Sequence, residues 1–239
     1  MENKEIEKIS GDLVGYLNPE YFKDEFKNKI VPGENFSKEA TEKYYKIIIS
    51  IDWFLKKVSR YEVYFSEFYP RSKNIKDYEA LEHHVHAYLE DVETLKNKLM
   101  HYIGCLKNDL KQVATNKEEI SNALDWLKDQ VTKTFESVSK IRGGHRHKDY
   151  RFIDSNIINC EIAERMLSDK NPLKGQFTEY AINKFKNQSE ESFAKAKMFW
   201  IETARNNLSQ VEGVTNETLE KTKDFMYKLL DIEQLNFKN

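Results

Sequence analysis

The sequence contains few of the residues that interrupt regular secondary structure. Only 8 glycines and 4 prolines occur in 239 residues, too few for a protein built from short strands and tight turns. The two cysteines, Cys105 and Cys160, are far apart and form no CxxC pair, so neither a zinc site nor a redox motif is indicated. We interpret them as two buried, reduced thiols, which favours the cytoplasm.

Long hydrophobic runs are missing as well. No stretch approaches the roughly 18 apolar residues of a membrane span, and the charged start, MENKEIEKIS, lacks the apolar core of a signal peptide. We therefore expect a cytoplasmic protein with no membrane contact.

The charges of the chain are nearly balanced. Lys and Arg (38) nearly equal Asp and Glu (40) in number, for a net charge of −2, which argues against a protein that coats DNA.

Several sequence motifs of known chemistry do not occur. There is no glycine-rich phosphate loop, nucleophile elbow, DxD pair or HExxH motif. Phosphotransferase, α/β-hydrolase and metalloprotease functions are therefore unsupported, and no cofactor is indicated.

Apolar residues recur every three or four positions along most of the chain, which predicts helices. We expect an all-α, mostly antiparallel bundle of about six to eight helices. Its centre is predicted as long helices over 37–68, 75–112 and 116–142. Ser37 is the expected N-cap of the first, and Thr115 that of the third.

The predicted organisation is a single globular unit with three parts. Residues 1–36 form short N-terminal helices, 37–168 form the helical core, and 173–239 form a C-terminal helical hairpin packed on that core. Gly213 is expected to end the first helix of the hairpin, and Thr215 to cap the second.

The segment Lys140–Arg151, KIRGGHRHKDYR, concentrates positive charge. Five Lys or Arg and one Asp give it a formal charge of +4 on a nearly neutral chain. Each glycine of the pair Gly143-Gly144 costs a helix about 1 kcal/mol relative to alanine, so we expect a helix to stop near Arg142. Such a break would free Arg142 and His147 to point into one space. On an unbroken helix, residues five positions apart lie on different faces.

An arginine beside a histidine can bind and turn over a phosphodiester. The arginine holds the phosphate in a fork and stabilises developing charge, and the histidine exchanges a proton near neutral pH. Cleavage of RNA needs little more than these two groups, because the 2′-hydroxyl of RNA is a built-in nucleophile. The alternative is a solvated basic loop whose cations favour a helix C-terminus.

The spacing of Arg142-Gly-Gly-His-Arg-His147 resembles the Arg-x4-His motif of HEPN domains, which are helical bundles. The resemblance would cover residues 37–168. It implies a metal-independent ribonuclease, often a toxin of a defence system, with Arg142 and His147 as the catalytic pair and two copies meeting in a dimer. Gly143 stands where active members usually carry a polar residue, which leaves the catalytic role open.

The residues around this pair suggest an interface with nucleic acid. Their cationic and aromatic side chains can contact the phosphate backbone or stack on bases. The residues predicted to do so are His145, Arg146, Lys148, Tyr150 and Arg151.

A second polar group lies on the predicted helix 75–112. His83 and His86 are three positions apart, and Glu90 follows His86 by four, a spacing that can bind a transition metal. No other helix carries the Glu-x-x-His pair that a di-iron bundle needs, so packing or solvated histidines are the simpler interpretation. His84, His86 or Glu90 could instead lie near Arg142 and support it.

Two functions from different classes follow. The first is a HEPN-like metal-independent ribonuclease or defence-system toxin, with RNA, a second copy of the chain and an antitoxin as expected partners. The alternative is a non-catalytic, all-helical module that binds a protein or nucleic acid.

Overall fold

The computed structural model describes residues 3–24, 32–72, 74–147 and 154–232, and for 143–147 it describes the backbone alone. These residues are helical, with no strand among them, and the predicted all-α bundle is confirmed. The helices, numbered in chain order, are α1 (Lys4–Leu17), α2 (Lys38–Val58), α3 (Tyr61–Glu67), α4 (Asp77–Val113), α5 (Lys117–Thr134), α6 (Glu136–His147), α7 (Ser155–Leu167) and α8 (Glu179–Leu230).

One of the two predicted N-caps of the central helices is confirmed. The Ser37 hydroxyl accepts a hydrogen bond from the Ala40 amide at 3.3 Å, so Ser37 is the N-cap of α2 as predicted. The prediction for Thr115 is wrong: α5 begins at Lys117 and Asn116 is the residue before it.

Two of the predicted long helices are each divided in the structure. The predicted helix 37–68 consists of α2 and α3, and the predicted helix 116–142 consists of α5 and α6, with Phe135 between them. Phe135 leaves helical geometry at φ −91° and ψ 3° while its side chain stays buried. Apolar spacing continues across such a one-residue interruption, which is why it does not reveal the break.

The predicted end of a helix at Gly213 is wrong, and the C-terminal segment is one helix instead of a hairpin. Helix α8 runs through 52 residues, or about 78 Å at 1.5 Å per residue. The Thr215 hydroxyl donates to the Val211 carbonyl one turn earlier at 2.7 Å, so it acts inside the helix and not as a cap. Val211 and Val214 are both buried, and this packing outweighs the low helix propensity of Gly213.

The chain forms two compact units, each assembled from segments that are separate in sequence. The first comprises Met1–Lys57, Val92–Glu136 and Ser209–Asn239, and the second comprises Val58–Asp91 and Ser137–Leu208.

The core of the first unit centres on Tyr102, which is fully buried. Its ring packs edge-on against Tyr44 at 6.3 Å, and its hydroxyl shares a 2.7 Å hydrogen bond with Thr222. Helices α2, α4 and α8 are thereby joined by both apolar and polar contacts.

The core of the second unit is a group of aromatic rings. Tyr88 packs edge-on against Tyr61 at 5.2 Å and Phe65 at 5.7 Å, and Trp200 lies 6.2 Å from Phe65. This group joins α3, α4 and α8.

Cys160 is buried, but Cys105 is partly exposed, so only one of the two expected buried thiols is found.

Across the described residues, no helix combines the length and apolar character needed to span a membrane.

Candidate functional site

Arg142 forms an ion pair with Glu90 in fork geometry. Its Nε donates to Oε1 of Glu90 at 3.1 Å, and its Nη2 donates to Oε2 at 2.8 Å. The Arg142 side chain is 16% exposed and that of Glu90 is 49% exposed. Two parallel bonds fix the plane of the guanidinium as well as its position.

The local sequence explains why these two side chains meet. On α4, Leu89 is buried and the next residue, Glu90, is exposed. On α6, Arg142 lies one turn after the buried Val138, so it extends from the same face of the helix. Glu90 was one of the predicted neighbours of Arg142, and the structure brings the two together.

The predicted helix break near Arg142 is not present. Helix α6 continues through Gly143 and Gly144 to His147. Five residues at 100° each place positions 142 and 147 about 140° apart around the helix axis. The backbone therefore does not direct Arg142 and His147 into one space within a single chain.

Most of the predicted nucleic-acid interface lies outside the described part of the chain. His145, Arg146 and His147 have a helical backbone, and their side chains are not among the described ones. Lys148, Tyr150 and Arg151 fall outside the described residues altogether. Their predicted contacts remain predictions.

The two predicted supporting histidines occupy different surroundings. The Nε2 of His84 donates to the Phe68 carbonyl at 2.8 Å, and its ring stacks on Tyr64 at 6.0 Å. His84 thus stabilises the end of α3, where a cationic or donor group is favourable. His86 lies on α4 one turn before Glu90.

The metal hypothesis receives no geometric support in the described part of the chain. No group of three or more His, Cys, Asp or Glu side chains there is arranged to hold a metal ion. Asp91, which follows Glu90, instead accepts a short hydrogen bond from the Tyr61 hydroxyl in the buried core. Burial and this hydrogen bond both raise the pKa of Tyr61 above its ordinary value.

The N-cap that follows the basic segment was not predicted. Asp154 caps α7 by accepting from the amides of Asn156 (2.9 Å) and Ile157 (3.3 Å). Its other oxygen accepts from Nε1 of the buried Trp200 at 2.6 Å. An aspartate before Ser155-Asn-Ile-Ile is a recognisable N-cap signal, but its tryptophan partner is 46 residues away.

The Glu90–Arg142 pair lies near the start of the basic segment, and the Asp154–Trp200 hydrogen bond lies three residues after its last residue, Arg151. Both contacts belong to the second unit.

No protein-family model matches the chain, and no match is found among curated proteins or solved structures.

Proposed function

We propose that the protein is a HEPN-like, metal-independent ribonuclease, of the kind used as a toxin in defence systems. Arg142 would bind the scissile phosphate and His147 would exchange the proton. The observation that carries the proposal is the Glu90–Arg142 fork. A guanidinium whose plane is fixed before the substrate binds loses less entropy when it contacts a phosphate.

Cleavage of an RNA phosphodiester requires few groups from the protein. The 2′-oxygen of the RNA attacks the adjacent phosphorus as the bond to the 5′-oxygen breaks. One proton leaves the 2′-hydroxyl and another reaches the 5′-oxygen, and a histidine can carry out either transfer. Arg142 would stabilise the negative charge that builds on the phosphate oxygens. A second copy of the chain would supply a second histidine, as the resemblance to HEPN domains implies.

A second candidate function is a non-catalytic helical module that binds nucleic acid or protein through the same segment. The observation that favours it is the unbroken α6, which places positions 142 and 147 about 140° apart. Binding of a phosphate backbone needs cationic charge and does not need these two side chains to converge.

Substitution of the two proposed catalytic residues tests the first function. We expect Arg142→Ala and His147→Ala each to lower cleavage of single-stranded RNA by a factor of about 10² to 10⁴. Cleavage by the wild type should persist in EDTA and fail on DNA, which lacks the 2′-hydroxyl. Cleavage is followed on a labelled oligonucleotide, with circular dichroism to verify folding.

The matched control is Arg205→Ala. Arg205 also pairs with a glutamate of the second unit, Glu62, through Nε at 3.1 Å and Nη2 at 2.5 Å. If Arg205→Ala lowers cleavage as much as Arg142→Ala, the loss reflects a general effect on folding. If the wild type cleaves no RNA, the ribonuclease proposal is wrong.

The double variant Gly143→Ala/Gly144→Ala separates the two candidate functions. Alanine stabilises a helix by about 1 kcal/mol per glycine replaced, so it opposes any opening of α6 between Arg142 and His147. A ribonuclease that must open this helix loses activity and keeps its affinity for RNA. A binding module retains its affinity, and neither the wild type nor the variant cleaves.

A further inference from the structure

The second unit contains a cavity that the proposed ribonuclease does not use. It has a volume of about 530 Å³ and lies among the start of α4, α7 and the first part of α8. Sites for small organic ligands range over about 300–1,000 Å³. Tyr78, Cys160 and Ser189 line it and are buried, so they form its floor, whereas its rim is exposed.

One wall of the cavity is apolar and held in place. Phe193 lines the cavity and packs edge-on against Tyr69 at 5.5 Å. Ile75, also in the lining, is 49% exposed although it is a large hydrophobic residue. An apolar group bound here would remove this surface from water, which is favourable in proportion to the area covered.

A carboxylate is oriented into the lining by a chain of polar contacts. Glu164 accepts from the Ser189 hydroxyl at 3.0 Å through Oε1, and its Oε2 pairs with Lys76 Nζ at 3.1 Å. Ser189 in turn lies 3.4 Å from the thiol of Cys160. The Lys76 side chain is 58% exposed and that of Glu164 is 27% exposed, and an ion pair with an exposed partner contributes little stability. A ligand ammonium can therefore share or take this carboxylate at small cost.

Charges of both signs stand at the rim. The side chains of Arg71, Asp77 and Glu190 make no ion pair or hydrogen bond with any residue that the structure describes. Burial is the main cause that raises the pKa of the Cys160 thiol on the floor, and the hydrogen bond with Ser189 opposes it. The negative charges of Glu164 and Asp77 also reach the thiol and raise its pKa further. The lining thus offers acceptors for a cation and one arginine for an anion.

We infer that this cavity binds a small zwitterion with an apolar side chain, namely a free α-amino acid or a dipeptide. The ammonium group faces the carboxylates of Glu164 and Glu190, the carboxylate faces Arg71, and the apolar side chain lies against Phe193. This inference is independent of the ribonuclease proposal, because none of these residues belongs to the Glu90–Arg142 site.

Four probes test the inference by isothermal titration of the full chain. They are L-phenylalanine, the dipeptide Phe-Phe, phenethylamine, which lacks the carboxylate, and 3-phenylpropionate, which lacks the ammonium group. We expect at least one zwitterion to bind, with each single-charge analogue weaker by about tenfold or more, since each loses a charged hydrogen bond. The comparison of L-phenylalanine with Phe-Phe distinguishes an amino acid from a peptide.

Variants then assign the contacts. Glu164→Gln and Arg71→Ala should each weaken binding of the preferred zwitterion by about tenfold or more. Glu191→Gln is the matched control, since Glu191 is exposed on α8 next to Glu190 and is not part of the lining. Arg142→Ala should bind as well as the wild type, which keeps this test separate from the ribonuclease test.

Three results would overturn the inference. They are no binding of either zwitterion at millimolar concentration, equal affinity for phenethylamine and the zwitterions, and equal losses in Glu164→Gln and Glu191→Gln. Glu164→Gln also changes the contacts of Glu164 with Ser189 and Lys76, so it can weaken binding by destabilising the fold. Glu190→Gln is therefore measured as well, because the exposed Glu190 side chain has no described partner to lose.

Discussion

Tyrosine–aspartate hydrogen bonds recur in both units. The hydroxyl of Tyr227 donates to Asp12 at 2.7 Å, that of Tyr44 donates to Asp109 at 2.8 Å, and that of Tyr61 donates to Asp91. Each pair joins residues that are distant in sequence. Asp12 is almost fully buried at 1% exposure. Burial raises the pKa of Asp12, and the hydrogen bond from Tyr227 opposes part of that rise.

Asp12 should make the stability of the protein depend on pH. The folded pKa of Asp12 is above its ordinary value of 3.8, so the folded protein binds a proton that the unfolded chain has already lost. Its free energy of unfolding therefore falls as the pH rises above about 4. We expect Asp12→Asn, which keeps a hydrogen-bond acceptor, to remove this fall and to be the more stable protein at neutral pH.

Urea unfolding at several pH values between about 4 and 7 measures this effect. Tyr227→Phe is the informative companion, since it removes the bond that lowers the pKa of Asp12. In that variant the decline in stability should extend to higher pH. Parallel pH profiles for the wild type and Asp12→Asn would contradict the prediction.

At the scale of single elements, α8 contains an interior glycine that its packing does not require. Gly213 is exposed, and a Cβ added there would meet no atom within 4 Å. Alanine restricts the unfolded chain and favours the helix. We expect Gly213→Ala to raise the free energy of unfolding by about 0.5–1 kcal/mol, measured by urea denaturation. Gly11→Ala in α1 should act in the same direction, because it too has open space.

Gly33 provides the opposite case. A Cβ at Gly33 would collide with the side chain of Asp231. That side chain is held by the Asn35 amide at 2.8 Å, and Asp231 itself has a left-handed φ of 53°. Gly33→Ala should therefore destabilise the protein by about 1–3 kcal/mol. Equal changes in the free energy of unfolding for Gly33→Ala and Gly213→Ala would contradict both predictions.

Across the whole molecule, buried tyrosines link alkaline pH to unfolding. Burial is the leading cause that raises the pKa of Tyr78 and of Tyr88 to about 12, and it also raises the pKa of Tyr102 above its ordinary value. Because these folded values exceed the unfolded value of about 10, their contribution to stability is present below pH 10. It is lost as the pH rises through 10 to 12.

We therefore expect alkaline unfolding to be cooperative. Absorbance at 295 nm should report ionisation of the buried tyrosines only as the helical circular dichroism signal disappears. Complete tyrosine ionisation with an unchanged helical signal would show that the buried rings are accessible, contrary to the structure.

The candidate site was predicted in part. The helices that carry Glu90 and Arg142 were expected to share a core, which made Glu90 a possible neighbour of Arg142. The Glu90–Arg142 fork itself depends on how α4 and α6 pack. The spacing of apolar residues along each helix carries no information about the distance between the two helices. The hydrogen bond between Asp154 and Trp200 was missed for the same reason: the N-cap is a local signal, but its partner comes from another helix.

The sequence by itself determined the all-α class, since apolar spacing and a cap such as Ser37 act within a few residues of chain. Only the tertiary structure decided where the helices continue or stop. Gly213 and the pair Gly143-Gly144 lie inside helices, whereas Phe135 separates two. A glycine disfavours a helix by about 1 kcal/mol, and burial of one large apolar side chain contributes about 1.5–3 kcal/mol. Packing can therefore override the local preference in either direction.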